Sequence, residues 1–408
     1  MQTKQRTRRR FITALAVIGT AGLTLSACGS SDTADSTATS GGLEAGQTYK
    51  VGYAAAKTGR LAVFDEPFLK GLQAQVDEIN QAGGIDGKVK MVLDVQDAKS
   101  DPATGATVAQ DLIDNGAQFL ITACDADASL PAAQVAQKAQ IPTMSSCGSG
   151  ASLPSQVGNF SFLTVYGTTA MGDAMGEFAA GEGWKNAGLM RSTAIEYTDS
   201  IPTAAQSSFE AAGGKIAKEV NYTLDQPNYT TIATELAGSG ANVVLTPIFL
   251  TGSVTFLKNL RAAGFDGPVV TADGQEGSET FSAGTAANDL YVSTYGSTEG
   301  AEGASLRKFN ELYKKKYGEY PGTVLAALGA DDAIVIAAAV TAAGSTGGVE
   351  VRDALDGLKD VQGATSKITY QGGKGLPSRD VVILKSNVPE KRFDFVKRFR
   401  PSSLQQAG

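Results

Sequence analysis

Short runs of β-branched residues recur along this chain with helically spaced apolar side chains between them, a pattern that leaves few options except a parallel sheet with helices packed on its faces. Val51 to Ala55 reads as a strand. Pro67 to Ala82 reads as a helix with Phe68, Leu72, Val76 and Ile79 on one face, and Val89 to Val95 as the next strand. Gly83-Gly84-Ile85-Asp86-Gly87 supplies the helix stop and the turn. Asp101-Pro102 opens a second helix, pinned by Ala106, Ala109, Leu112 and Ile113, before a strand at Phe119 to Ala123. The rhythm then restarts. Gly188 to Arg191, Lys215 to Val220, Val243 to Thr246 and Val269 to Ala272 are strand-like, separated by helices at Ile201 to Ala212, Tyr229 to Gly238 and Gly252 to Ala263. Two α/β lobes in tandem account for this order. Leu306 to Tyr317 and Val324 to Ala343 are further helices expected to return to the first lobe, with final strands near Lys367 to Tyr370 and Val381 to Leu384 crossing back.

The N-terminus carries a different signal. Lys4, Arg6, Arg8, Arg9 and Arg10 precede an apolar run from Phe11 to Leu25, too short to span a bilayer comfortably and typical of a removable export signal. Leu25-Ser26-Ala27-Cys28 resembles a bacterial lipobox, which implies lipidation of Cys28 as the mature N-terminus and anchoring to the outside of the cell membrane. Thr7 to Ile12 also looks like a twin-arginine signal, so the export route stays open. Gly29 to Gly46 is almost wholly Gly, Ser, Thr, Ala and Asp, a composition that cannot bury enough surface to order itself and is expected to act as a leash.

Removing residues 1 to 27 takes away five basic and no acidic residues, moving the formal charge from −7 to −12. With no basic stripe, nucleic acid is not an expected partner. Lys314-Lys315-Lys316, the longest internal basic run, reads as a solvated helix end. No histidine occurs, which excludes Ser-His-Asp and Cys-His catalysis and any His-ligated metal. Neither a metal nor a cofactor is expected. Cys124 and Cys147 each end a strand-like run, and outside the cell a disulfide is the favoured reading over two buried thiols. The bridge would contribute roughly 3 kcal/mol through loop closure.

From Tyr49 almost to its end the chain resembles the periplasmic binding proteins of the branched-chain amino acid class. The matching pieces are Gly71 to Gly87, with Asp77-Glu78-Ile79-Asn80 before Ala82-Gly83-Gly84-Ile85; Asp97 to Asp101; Ile141 to Ser146; and Phe256 to Gly264 with Thr271-Ala272-Asp273-Gly274. The resemblance implies the type I fold, two Rossmann-like lobes with parallel sheets joined by a three-crossing hinge. Residues 1–27 would be the signal and 28–48 the leash, with 49–166 and 297–369 forming one lobe and 167–296 and 370–408 the other. It also implies a solute closed between the lobes and passed to an ABC permease with ATPase subunits, and a monomer.

In an open α/β sheet, ligands sit outside the carboxyl ends of the strands, at helix N-termini that favour anions. Ser145 to Gly150 follows a strand, is rich in hydroxyls and glycines, and resembles the family's carboxylate loop, making Ser149 and Gly150 the leading contacts. A plain Gly/Ser connection reads the same way. Cys124-Asp125-Ala126-Asp127 matches the family's other carboxylate loop, with Asp125 and Ala126 as candidates, although acids stand here where serine is typical. Asp273 matches the residue that takes a ligand ammonium, and reads equally as an Asp-Gly turn. Tyr197 and Phe64 match cleft aromatics, or serve as packing; Phe249 stands where the family member has tyrosine, implying a more apolar pocket.

Enzyme signatures are incomplete in this chain. Lys57-Thr58-Gly59 and Ser305-Leu306-Arg307-Lys308 occur in reversed order for a penicillin-binding enzyme, without Ser-Asp-Asn between them. Gly83 to Lys88 is one residue short of a P-loop, and Gly148-Ser149-Gly150 lacks the third glycine of a dinucleotide fingerprint. The expectation is therefore a small polar solute, an amino acid or amide, captured without reaction. A ligand-sensing receptor lobe is the alternative, and a secreted enzyme a more distant one.

Overall fold

In the computed structural model, which describes residues 42–405 apart from 225 and 299–302, the alternation resolves into two open sheets. The signal segment, Cys28 and most of the expected leash lie outside the described residues. The first stretch runs β1 (Thr48–Ala55), α1 (Ala62–Gln81), β2 (Lys90–Asp97), α2 (Pro102–Asp114), β3 (Phe119–Thr122), α3 (Ala126–Lys138), β4 (Thr143–Ser145), α4 (Leu153–Val157) and β5 (Ser161–Leu163). Its strands form a parallel sheet in the order β2-β1-β3-β4-β5. There follow α5 (Thr168–Gly181), β6 (Asn186–Arg191), α6 (Glu196–Ala211), β7 (Lys215–Asn221), α7 (Thr230–Ala237), β8 (Val243–Thr246), α8 (Leu250–Ala262), β9 (Val269–Ala272) and β10 (Leu290–Thr294), with 3-10 turns between the last two. The chain then returns through α9 (Ala304–Tyr317), α10 (Leu325–Ala343) and α11 (Gly348–Asp356), a small hairpin of β11 (Val361–Gln362) and β12 (Lys367–Ile368), the strands β13 (Val381–Asn387) and β14 (Arg392–Phe399), and α12 (Ser402–Gln405). The second sheet is ordered β14-β13-β10-β9-β8-β6-β7, parallel from β10 to β7 and antiparallel at β13 and β14.

α9 and α10 do return to the first body, packing on α1. α10 is apolar and long enough to cross a membrane, yet most of it is buried in this core. Two expectations need correction. Lys367–Ile368 joins neither large sheet but pairs locally with Val361–Gln362, so that of the two expected final strands it is Val381–Asn387 that enters the second sheet. The Lys314 to Lys316 run is not simply solvated, since Lys316 pairs with Asp77 of α1 and Lys314 lies over the Tyr320 ring.

Helices α1 and α6 begin five residues before their expected starts at Pro67 and Ile201, at Ala62 and Glu196. In α1 the extra turn is held by Asp65, a buried carboxylate that accepts from Ala56 N at 2.6 Å, Cys124 N at 2.9 Å and Ser146 Oγ at 3.0 Å. One side chain thus ties together the loops that leave β1, β3 and β4.

Each body contains a seam where two helix backbones nearly touch. A Cβ at Gly71 of α1 would lie 1.7 Å from Ala326 O of α10, and one at Gly329 of α10 would lie 2.1 Å from Phe68 O. In the second body, Cβ atoms at Gly172 and Gly176 of α5 would meet Ile201 O and Ala205 O of α6 at 2.3 and 2.4 Å. These glycines are required by close approach rather than by turn geometry.

Three segments connect the bodies, and a buried arginine fastens them. Arg379, before β13, donates from Nη1 to Thr164 O at 2.9 Å after β5, and from Nη2 to Asp331 Oδ2 of α10 at 2.6 Å. Its guanidinium also lies 5.8 Å from the ring centroid of Tyr295, just after β10.

Candidate functional site

In the first sheet, β1 and β3 are neighbours whose following connections run to opposite sides; in the second, β6 and β8 stand in the same relation. At such switch points the loops part and leave a crevice at the strand ends. The two crevices face each other across one cavity. All eight residues singled out from the sequence line it: Phe64, Asp125, Ala126, Ser149, Gly150, Tyr197, Phe249 and Asp273. Leu61, Cys124, Asp127, Cys147, Gly148, Gly274 and Leu325 complete the wall.

The first body contributes donors. Among the described residues no hydrogen bond from the backbone N–H of Ser149 or Gly150 to a protein acceptor is present, and Ala126 and Asp127 occupy the first turn of α3, where N–H groups have no helical partner. The Ser149 hydroxyl is buried and has no hydrogen-bond partner among the described residues. The loops after β3 and β4 are joined by a disulfide between Cys124 and Cys147, as the strand-end positions suggested. The Asp125 carboxylate caps α3 by accepting from Ala128 N at 2.8 Å and pairs with Arg60 at 3.3 Å.

The second body contributes an acid and aromatic surface. Asp273 follows β9, is buried, and accepts from the Tyr197 and Tyr295 hydroxyls, both at 2.9 Å. The Tyr197 hydroxyl in turn accepts from Gly274 N at 3.1 Å. Tyr197 stacks on Phe249 with centroids 4.9 Å apart, and Phe64 reaches across from α1 to within 6.0 Å of Phe249. Phe249 therefore extends an apolar wall on this side of the cavity. Asp65, Tyr295, Leu61 and Leu325 were not singled out from the sequence. A Pro or Gly punctuates a chain visibly, whereas an Asp beside Phe64 in a helical pattern looks like solvent-facing polarity.

Burial pushes carboxyls in and around the cavity upward, against the hydrogen bonds they accept: Asp273 to about 6, Asp65 to about 7, Glu276 outside the wall to about 7, and Asp125 in the same direction. An acid whose pKa is higher folded than unfolded holds its proton more tightly in the folded state, so the stability it contributes is complete below pH ~4 and is lost as pH rises through 6 to 7. The unfolding free energy measured in urea should thus fall between about pH 4 and pH 7 and level off above that, and Asp65→Asn should flatten the slope. A slope unchanged by the substitution would contradict this account.

Two α/β bodies closing on a crevice at both switch points, with no chemistry required of the wall, define a solute-binding protein of the type I class. A sequence profile of the periplasmic binding protein family matches residues 48–391, and the chain belongs to that family. Leu/Ile/Val-binding protein homolog 3 of Brucella melitensis is 24% identical over 340 residues, 81% of this chain and 90% of that protein. Among solved structures, the branched-chain amino acid transporter substrate binding protein LivJ from Streptococcus pneumoniae, in complex with isoleucine, superposes with a TM-score of 0.78 at 24% identity, covering 86% of this chain and 100% of its own. A solute binding protein of an ABC transporter from R. palustris, in complex with benzoate, gives 0.74 at 19% identity, with 87% and 97% covered.

Proposed function

We propose that this chain is an extracytoplasmic lipoprotein, anchored through Cys28, that closes two lobes (49–166 with 297–369, and 167–296 with 370–408) on a small solute bearing both a carboxylate and an amine, and delivers it to an ABC importer. The carrying observation is the opposite character of the two cavity walls. Free N–H groups at the start of α3 and at Ser149–Gly150, with the unpartnered Ser149 hydroxyl, suit a carboxylate. Asp273, held by two tyrosine hydroxyls on the facing wall, suits an ammonium. Phe64, Phe249 and Tyr197 suit an apolar side chain between them. The family context supports capture rather than catalysis, and relatives named for leucine, isoleucine and valine favour an amino acid. An aromatic acid such as the benzoate of the R. palustris protein would place its carboxylate equally well but leave Asp273 without a cation.

Thermal unfolding of the mature chain lacking Cys28, with amino acids, amides and aromatic acids added in turn, tests the reading. A solute present at about 100 times its Kd stabilises by about 2.7 kcal/mol, enough to shift a melting curve visibly. Stabilisation by amino acids and not by benzoate is expected; the reverse would transfer the site to aromatic acids.

A further inference from the structure

We infer that Glu196 is a positioning residue that holds the carboxylate-binding loop in place from the opposite lobe, with Asp127 returning the contact; the inference rests on the capture reading above. Glu196 is the first residue of α6, in the second body. Its carboxylate accepts from Ser152 N at 3.1 Å and from the Ser152 hydroxyl at 2.5 Å, two residues beyond Gly150 in the first body. Its own N–H, an orphan donor of the first helical turn, donates to Asp127 Oδ2 of α3 at 3.1 Å. Each lobe therefore satisfies a backbone N–H of the other with a carboxylate.

The clasp lies against the binding loop. A Cβ at Gly150 would stand 2.3 Å from the Ala126 Cβ on one side and 3.0 Å from Glu196 Oε2 on the other, so the Ser149–Gly150 backbone is clamped between its own lobe and this carboxylate. When the lobes part, Ser152 loses both acceptors and the loop loses its outer wall. Closure thus completes the anion site as well as covering it. The closed rim gathers Asp125, Asp127 and Glu196 with Arg60 as the paired cation, so like-charge repulsion opposes the clasp's hydrogen bonds and a bound solute tips the balance.

The test compares the parent with Glu196→Ala, Glu196→Gln and Asp127→Ala, using the best stabiliser from the thermal panel as probe. Glu196→Ala should speed solute release about tenfold or more while changing the association rate little, because the loop contact forms after encounter. Glu196→Gln keeps an acceptor and should recover part of the loss; Glu196→Ala and Asp127→Ala combined should cost less than the sum of the two. The unliganded melting temperature should move little. Release as slow in Glu196→Ala as in the parent overturns the inference. Should no solute bind the parent, the capture reading fails first, and the clasp is judged by hydrogen exchange at the Ser152 and Glu196 amides. Faster exchange in Glu196→Ala supports it and equal rates overturn it.

Discussion

Asparagine at position 273 is expected to weaken binding of an amine-bearing solute by roughly 2–5 kcal/mol, a loss of thirty-fold to several thousand-fold in affinity. Asp273 Oδ1 and Oδ2 each accept one tyrosine hydroxyl. An asparagine retains a single acceptor and presents an NH2 group to the other hydroxyl and to the solute's ammonium, so the charge is lost without loss of volume. Hydroxyls can rotate to accept, so folding should survive. The pH profile carries a second signature. Burial raises Asp273 to about 6 in the unliganded protein, and an ammonium beside it favours the ionised form. Affinity should therefore be flat above that pH and fall, by up to about tenfold per pH unit, as pH drops below it. Titration calorimetry at several pH values measures both effects. Unchanged affinity in Asp273→Asn, or a profile flat from about pH 5 to 8, would remove the ammonium from this wall.

Replacing Arg379 by methionine is expected to destabilise the protein by about 3–5 kcal/mol, the usual consequence of removing one partner from a buried ion pair. Arg379 and Asp331 are both fully buried. Asp331 also accepts from Ala364 N at 2.6 Å and Thr365 N at 3.2 Å, so it cannot turn away to water. Its neighbour Asp332 is buried as well, bonded by the Thr164 hydroxyl at 2.6 Å, and burial pushes its pKa well up. Arg379 is thus the cation beside two interior acids. Urea unfolding should show the loss directly, and adding Asp331→Leu should restore part of it, because the second change removes the stranded charge. A single substitution costing less than about 1 kcal/mol would mean that water reaches the pair. Because Arg379 also bonds the first connection and lies near Tyr295 of the second, the variant should alter the opening of the lobes along with their stability.

These two side chains show where a sequence can be read and where it cannot. Asp273 was legible because it follows a clear strand, Val269 to Ala272, in an order of segments that a known family shares, and the same logic found Ser149, Gly150 and Tyr197. Arg379 sits in a stretch of glycine, proline and serine that looks like a surface turn. Its importance depends on Asp331, forty-eight positions earlier in a helix so apolar that its two acids look incidental. Helix α5 escaped notice for a related reason: its small residues carry little apolar periodicity, since Gly172 and Gly176 exist to admit another backbone. Local pattern identifies elements, whereas partnership between distant polar groups becomes visible only when the fold has joined them.

The glycine seams bear on how the protein measures its solute. Helices α1 and α6 deliver Phe64 and Tyr197 to the cavity, and each is pressed backbone to backbone against a neighbour with no side chain between to yield. The jaws therefore behave as the hard faces of a calliper. A solute one methylene too thick is expected to prop the faces apart at the rim, where Glu196 and Ser152 stand 3.1 Å from each other at closure. Thickness at the centre is thus converted into a gap at the edge, and a misfit is registered by the protein as a whole.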